Sequence, residues 1–124
     1  MEIFNQSNPA FWQTFDTLVA TSEIVVDRAQ GTSHPRLPEL IYPLDYGYLA
    51  GTTSGDGQGI DVWIGGLDEQ KVTGIACTVD RCKRDTEIKV LIGCTDQDFA
   101  TISHFLNQVV GLPCVMIERG NDDD

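Results

Sequence analysis

The chain has 124 residues, 41% hydrophobic and 22% charged, the balance of one globular domain over residues 1–124. A domain of this size buries about two-thirds of the surface its unfolded chain exposes, so it needs no disulfide or structural metal to fold. Its 8 basic and 19 acidic residues give a formal charge of −11, which argues against nucleic acid or an anionic membrane as a partner.

Asn8 and Pro9 open the first periodic segment, with Asn as cap and Pro at the first helical position. Phe11, Trp12, Phe15, Leu18 and Val19 then recur at helical spacing through Ala20, a core-facing stripe. Ile24 to Val26 reads as a short strand running into Asp27 and Arg28. A loop punctuated by Gly31, Pro35 and Pro38 leads into the aromatic stretch Ile41 to Leu49, and a second loop, Gly51 to Gly59, holds four glycines in nine positions. Strands are expected at Ile60 to Ile64, Val72 to Val79 and Glu87 to Ile92. Thr95 and Asp98 form a capping-box pattern for a second helix that runs through Val110 and closes at Gly111. Pro113 to Glu118 reads as a last strand, and Asp122 to Asp124 as a solvated tail. The expected fold is mainly β (α+β), a small barrel or sheet with two flanking helices.

No apolar run reaches the roughly 20 residues that cross a bilayer. The polar start, Met1 to Asn8, lacks the basic-then-apolar layout of an export signal. Cys77, Cys82, Cys94 and Cys114 form no C-x-x-C pair, so reduced thiols in a cytoplasmic protein are expected. No second ligand pair near Cys77 and Cys82 suggests zinc.

Chemistry gathers in two stretches. In Asp56-Gly57-Gln58-Gly59-Ile60-Asp61, glycine-rich backbone brings two carboxylates to a loop-to-strand corner, a donor set suited to Mg²⁺. An Asp-Gly turn with a solvated acid is the plainer alternative. In the second stretch, Asp80 to Lys89, four of the eight basic residues fall between positions 81 and 89. Strand alternation puts Asp85, Glu87 and Lys89 on one face and Ile88, Val90 and Ile92 on the other. Interleaved acids and cations suit a metal-bound phosphate, and equally a solvent-facing strand with weak ion pairs. Tyr42, Tyr46 and Tyr48 can donate to phosphate or fill a core. His34 and His104 do not form a ligand pair, and no Ser or Cys nucleophile motif is present.

Taken together, Tyr42-Pro43-Leu44-Asp45-Tyr46-Gly47-Tyr48, Asp56-Gly57-Gln58-Gly59-Ile60-Asp61-Val62 and Glu87-Ile88-Lys89-Val90 resemble three motifs, in order, of the soluble Mg²⁺-dependent (family I) inorganic pyrophosphatases. The resemblance runs from about Glu23 to Ile92 and implies an OB-like β-barrel with helices outside. It implies hydrolysis of pyrophosphate to two phosphates by a metal-activated water, with two or more Mg²⁺. Asp56, Asp61 and Glu87 correspond to metal ligands, with Asp27 supporting another. Asp80 or Asp85 would complete the set, and the spacing does not choose between them. Lys89, Tyr46, Tyr42 and Arg36 correspond to phosphate-binding positions, and Lys83 or Arg84 can add charge. Asp61, Gln58 and Tyr46 would serve catalysis directly. Homo-oligomers are common among such proteins.

The departures are specific. Gln58 stands where the family has an Asp that orients or deprotonates water, and Gln cannot take a proton. General-base help is worth about 10²–10⁴-fold. Val109 and Val110 replace a Tyr-Lys pair, so two phosphate contacts are missing, and the chain is shorter. Two alternatives follow: a non-catalytic metal- and phosphate-binding homologue, or a hydrolase of another phosphoanhydride.

Overall fold

Asn8 caps the first helix, α1 (Pro9–Ala20): its side-chain oxygen accepts from the Phe11 amide at 3.0 Å. Pro9 occupies the first turn, where its missing N–H leaves nothing unpaired. The computed structural model describes residues 8–120, so the tail Asp122 to Asp124 and residues 1–7 lie outside the described residues.

Six strands follow: β1 (Ile24–Arg28), β2 (Asp45–Leu49), β3 (Ile60–Ile64), β4 (Val72–Asp80), β5 (Asp85–Ile92) and β6 (Cys114–Glu118). They form one sheet in the order β1-β2-β3-β5-β4-β6. β3 and β5 run parallel and every other neighbouring pair is antiparallel. The domain is thus mainly β with two α-helices, as the sequence pattern implies. The sheet is open, however, with β1 and β6 as its edges. β6 lies along β4 from Gly74 to Thr78, so that side of β4 is not free to receive β1 and close a barrel.

Both sheet faces are covered. On one, Trp12 and Val19 of α1 pack against Leu49, Val62, Val90 and Ile92. On the other, Phe99 and Ile102 of α2 (Asp96–His104) pack with Phe105 and Leu106 against Trp63, Ala76 and Leu91. This double cover corrects the expected alternation in 85–92. Val90 and Ile92 are buried, but Ile88 is 45% exposed while Lys89 is only 5% exposed. The charged face of β5 lies under the second helical layer, and Ile88 sits where its own face is left uncovered.

The second helix also differs from expectation at its end. Its capping box is complete, with the Asp98 amide donating to Thr95 Oγ1 and the Thr95 amide to Asp98 Oδ2. After His104 the helix widens into a π-helical segment, Phe105–Val110, closed by Gly111 at φ 77°. Asn107 in that segment accepts from the Cys114 amide at 2.9 Å and pins the start of β6. At the other end of β6, Arg119 donates to Asp16 of α1 at 2.8 Å and to the Val72 carbonyl at 3.0 Å, tying three elements together. All four cysteines are free, and Cys94 is buried with its thiol pushed up to about 12 by desolvation. Among the described residues no helix is long and apolar enough to cross a membrane.

Two positions carry clear stability predictions. A Cβ on buried Gly47 would land on the Val25 carbonyl oxygen, so Gly47→Ala should cost about 3 kcal/mol, the upper end for forced overpacking. Urea unfolding measures this directly. Partial burial would raise the Asp98 carboxyl, but the Thr95 and Gly66 amides and the Thr95 hydroxyl outweigh it and hold it below its usual value. A depressed carboxyl stabilises the fold above the unfolded value of about 3.9, and that contribution is lost as pH falls through the folded value. Asp98→Ala should therefore cost about 1 kcal/mol at neutral pH. The gap to wild type should narrow in unfolding curves recorded below about pH 4.

Candidate functional site

The loop before β3 aims one carboxylate. Gly57 adopts φ 83°, which a side chain would resist. The turn it allows lets Asp56 Oδ1 accept from Ser54 Oγ at 2.6 Å and from the Gln58 amide at 2.9 Å. The Gln58 carbonyl in turn accepts from the Ser54 amide at 2.7 Å. Gln58 itself is exposed, and among the described residues its side chain makes no hydrogen bond.

Strand register supplies the rest. In β2 and β3, Tyr46 lies opposite Trp63 and Tyr48 opposite Asp61, placing Tyr46 and Asp61 on one face. The parallel pairing of Val62 with Val90 brings Lys89 beside Asp61 on that same face. Lys89 Nζ donates to Tyr46 Oη at 2.8 Å, Asp61 Oδ2 at 3.0 Å and Glu87 Oε2 at 3.2 Å. It also stands 5.3 Å from the Tyr46 ring centroid. An ammonium has three protons, and all three are used.

Burial alone would lower the Lys89 ammonium, but Tyr46, Asp61 and Glu87 around it prevail and hold it above its usual value. Burial raises the Tyr46 hydroxyl, which stays a neutral phenol despite the adjacent cation. Asp56 and Glu87 lie within hydrogen-bonding reach of one another. That contact lowers Asp56, helped by the Ser54 hydroxyl and the Gln58 amide. It raises Glu87, with burial adding to the effect and Lys89 opposing it. Asp56 and Glu87 thus stand at one side of the cluster with opposite shifts.

The structure thus gathers Tyr46, Asp61, Glu87 and Lys89, with Asp56 at the edge. The other expected ligands stand apart. Asp27 is exposed and pairs loosely with Arg28 at 3.9 Å. Asp80 and Asp85 face each other at the end of the β4–β5 hairpin, where Asp80 accepts from the Lys83 amide at 2.9 Å. Arg84, in that hairpin, is exposed at φ 57°. Arg36 is exposed, and its amide donates to His34 Nδ1. Among the described residues, no three His, Cys, Asp or Glu side chains are gathered so as to enclose a metal. Within the cluster the Lys89 ammonium lies between Asp61 and Glu87.

Tyr42 lies outside the strands, its ring stacked on Tyr46 at 5.8 Å. Tyr42, Tyr46, Lys89 and Lys83 border a cleft of about 810 Å³, whose wall also includes Trp63, Phe105 and His34. Sequence reasoning missed these last three as site residues. Trp63 was findable, since it lies two positions from Asp61 in a strand and must share its face. No protein-family model matches the chain, and no curated protein is detectably similar to it.

Removing the ammonium isolates the test of this cluster. Lys89→Met should cost about 3 kcal/mol, because a buried ion pair loses one partner, whereas Tyr46→Phe should cost only about 1.5 kcal/mol. Chemical denaturation of the two variants checks the order.

Proposed function

We propose that the protein is a Mg²⁺-dependent inorganic pyrophosphatase. The observation that carries this reading is the meeting of Asp56, Asp61, Glu87, Lys89 and Tyr46 on one face, from three segments distant in sequence. These are the positions on which the motif resemblance rests. The strand order β1-β2-β3-β5-β4 with its parallel β3–β5 pair is compatible with an opened OB-like barrel, which supports the finer fold reading.

Asp56, Glu87 and Asp61 are hard oxygen donors of the kind a divalent cation takes, but as they stand, with Lys89 between Asp61 and Glu87, no three carboxylates enclose a metal among the described residues. Asp56 and Glu87 are two neighbouring carboxyls, and a divalent cation would offset the repulsion between them. Asp56, Glu87 and Asp61 would hold it, with Asp80 or Asp85 and Asp27 serving further ions. When bound, Mg²⁺ supplies charge neutralisation and acidifies the attacking water. Lys89 and Tyr46 bind phosphate oxygens, with Tyr42, Lys83, Arg84 and Arg36 available around them. Gln58 orients the water by hydrogen bonds and takes no proton. The water oxygen would bond to one phosphorus as its proton passes to solvent, while the bond from that phosphorus to the bridging oxygen breaks and the bridging oxygen leaves with the other phosphate, in line.

A second reading, a non-catalytic metal- and phosphate-binding homologue, is favoured by Gln58 and by the complete internal pairing of Lys89.

Phosphate release from pyrophosphate decides between them. Wild type should turn over only with Mg²⁺, and Asp61→Asn, purified identically, should lose that turnover. Gln58→Asp should raise the rate by up to about 10²–10⁴-fold. A silent wild type awakened by Gln58→Asp establishes the non-catalytic reading. Silence in both, with folded protein, overturns the hydrolase reading.

A further inference from the structure

The two edges of the sheet are built differently. β1 carries the usual defences of an edge strand: a bulge between Val26 and Arg28 interrupts its pairing with β2, and Asp27 and Arg28 place charge there. β6 has no such break. Its pairing with β4 runs regularly from Cys114 opposite Thr78 to Glu118 opposite Gly74, and Cys114-Val115-Met116-Ile117-Glu118 contains neither Pro nor Lys. Val115 is 66% exposed, more than any other large hydrophobic side chain among the described residues. It stands at the end of a row, Val115, Cys77 and Ile88, that crosses three strands on the α1 face, and Ile88 is 45% exposed.

Alternation decides which backbone groups of β6 face outward. In an antiparallel pair, the residues that exchange hydrogen bonds recur at every second position. The Arg119 amide donates to the Thr73 carbonyl at 2.9 Å, and the Val79 amide to the Pro113 carbonyl at 3.1 Å. The odd-numbered residues of β6 therefore turn their N–H and C=O toward β4, and the even-numbered ones turn theirs to the outside. Asn107 takes up those of Cys114: its Oδ1 accepts from the Cys114 amide at 2.9 Å, and its Nδ2 donates to the Cys114 carbonyl at 3.3 Å. The outward groups of Met116 and Glu118 have no hydrogen-bond partner among the described residues.

We propose that two copies of this chain join edge to edge through β6, antiparallel, about a two-fold axis at Ile117. A register centred on Met116 would give one bonded pair, and its next pair would need the Cys114 groups that Asn107 already holds. A register centred on Ile117 uses Met116 and Glu118 alone, each exchanging both backbone bonds with the other in the second copy. It sets Ile117 opposite Ile117 and Glu118 opposite Met116, so no like charges face one another. It also sets Val115 opposite Arg119 of the second copy. Arg119 is bound to Asp16 of its own α1, so the second copy brings a helical layer to the side on which Val115 is exposed. An unattached peptide strand would match the backbone edge but bring no such layer. The contact is isologous, the same strand serving both copies. This inference is independent of the pyrophosphatase reading.

Sedimentation equilibrium of the full-length protein tests this. A reversible monomer–dimer equilibrium is expected. It should strengthen as salt rises from about 0.01 M to about 0.15 M, because the Debye length falls from roughly 30 Å to roughly 8 Å. That screens the repulsion between two chains of formal charge −11. Glu118 is exposed and its amide points outward, so Glu118→Pro leaves the ladder with β4 whole. It should weaken dimerisation about 30-fold, the worth of the two hydrogen bonds lost, with urea unfolding of the monomer little changed. Val115→Lys should weaken it about tenfold by setting Lys against Arg119 of the second copy. Val26→Lys, at the β1 edge, should leave it unchanged. Hydrogen exchange at the Met116 and Glu118 amides should slow as protein concentration rises. A monomer at every concentration and salt overturns the proposal, and so does a dimer that Glu118→Pro and Val115→Lys leave intact. Slow exchange at both amides that is independent of concentration also overturns it, and assigns the edge to another segment of the same chain.

Discussion

A buried ammonium organises this protein. Lys89 brings a full positive charge to a position 5% exposed, and an unpaired charge there would cost several kcal/mol. The structure meets that cost with three acceptors, one each from β2, β3 and β5. Tyr46, Asp61 and Glu87 are therefore held at fixed distances from one point. Their positions depend on strand register, because a slip of one residue would turn each of them to the opposite face.

That register depends in turn on the parallel contact of β3 with β5. Antiparallel neighbours can be joined by a short turn, but parallel ones need a crossover. Here β4 supplies it, and the sheet order follows. With α1 on one face and α2 with its π-helical extension on the other, the central strands are apolar on both sides. Among the described residues Lys89 and Thr78 are the buried polar exceptions, and Lys89 lies beside the cleft.

The Asp56–Glu87 contact sits beside this arrangement and has the opposite character. Lys89 is saturated with acceptors, while Asp56 forms no ion pair among the described residues. Neighbouring regions of excess and deficit suit a ligand that carries both signs, such as a metal-bound phosphate. Aromatic side chains pack next to them, and Tyr46 belongs to both groups.

Much of the local structure was legible in the sequence because local rules govern it. Asn8-Pro9 starts α1, Thr95 and Asp98 make a capping box, and Gly111 ends the helical run, each through bonds within a few residues. Five strands were found by their β-branched runs, with ends shifted by at most two residues, whereas β2 lay unassigned within the aromatic stretch Ile41 to Leu49. The sequence joined Asp56, Asp61, Glu87 and Lys89 as a set only through the resemblance of its motifs, since spacing alone left each stretch a plainer alternative. It could not show that Lys89 is buried or Ile88 exposed, because period-2 alternation states which residues share a face and not what covers it. Nor could it show that β6 occupies the side of β4 that barrel closure needs, or that Trp63 joins the site. Those outcomes were set by contacts between elements far apart in the chain, where competition for one sheet edge and one covered face decides the result.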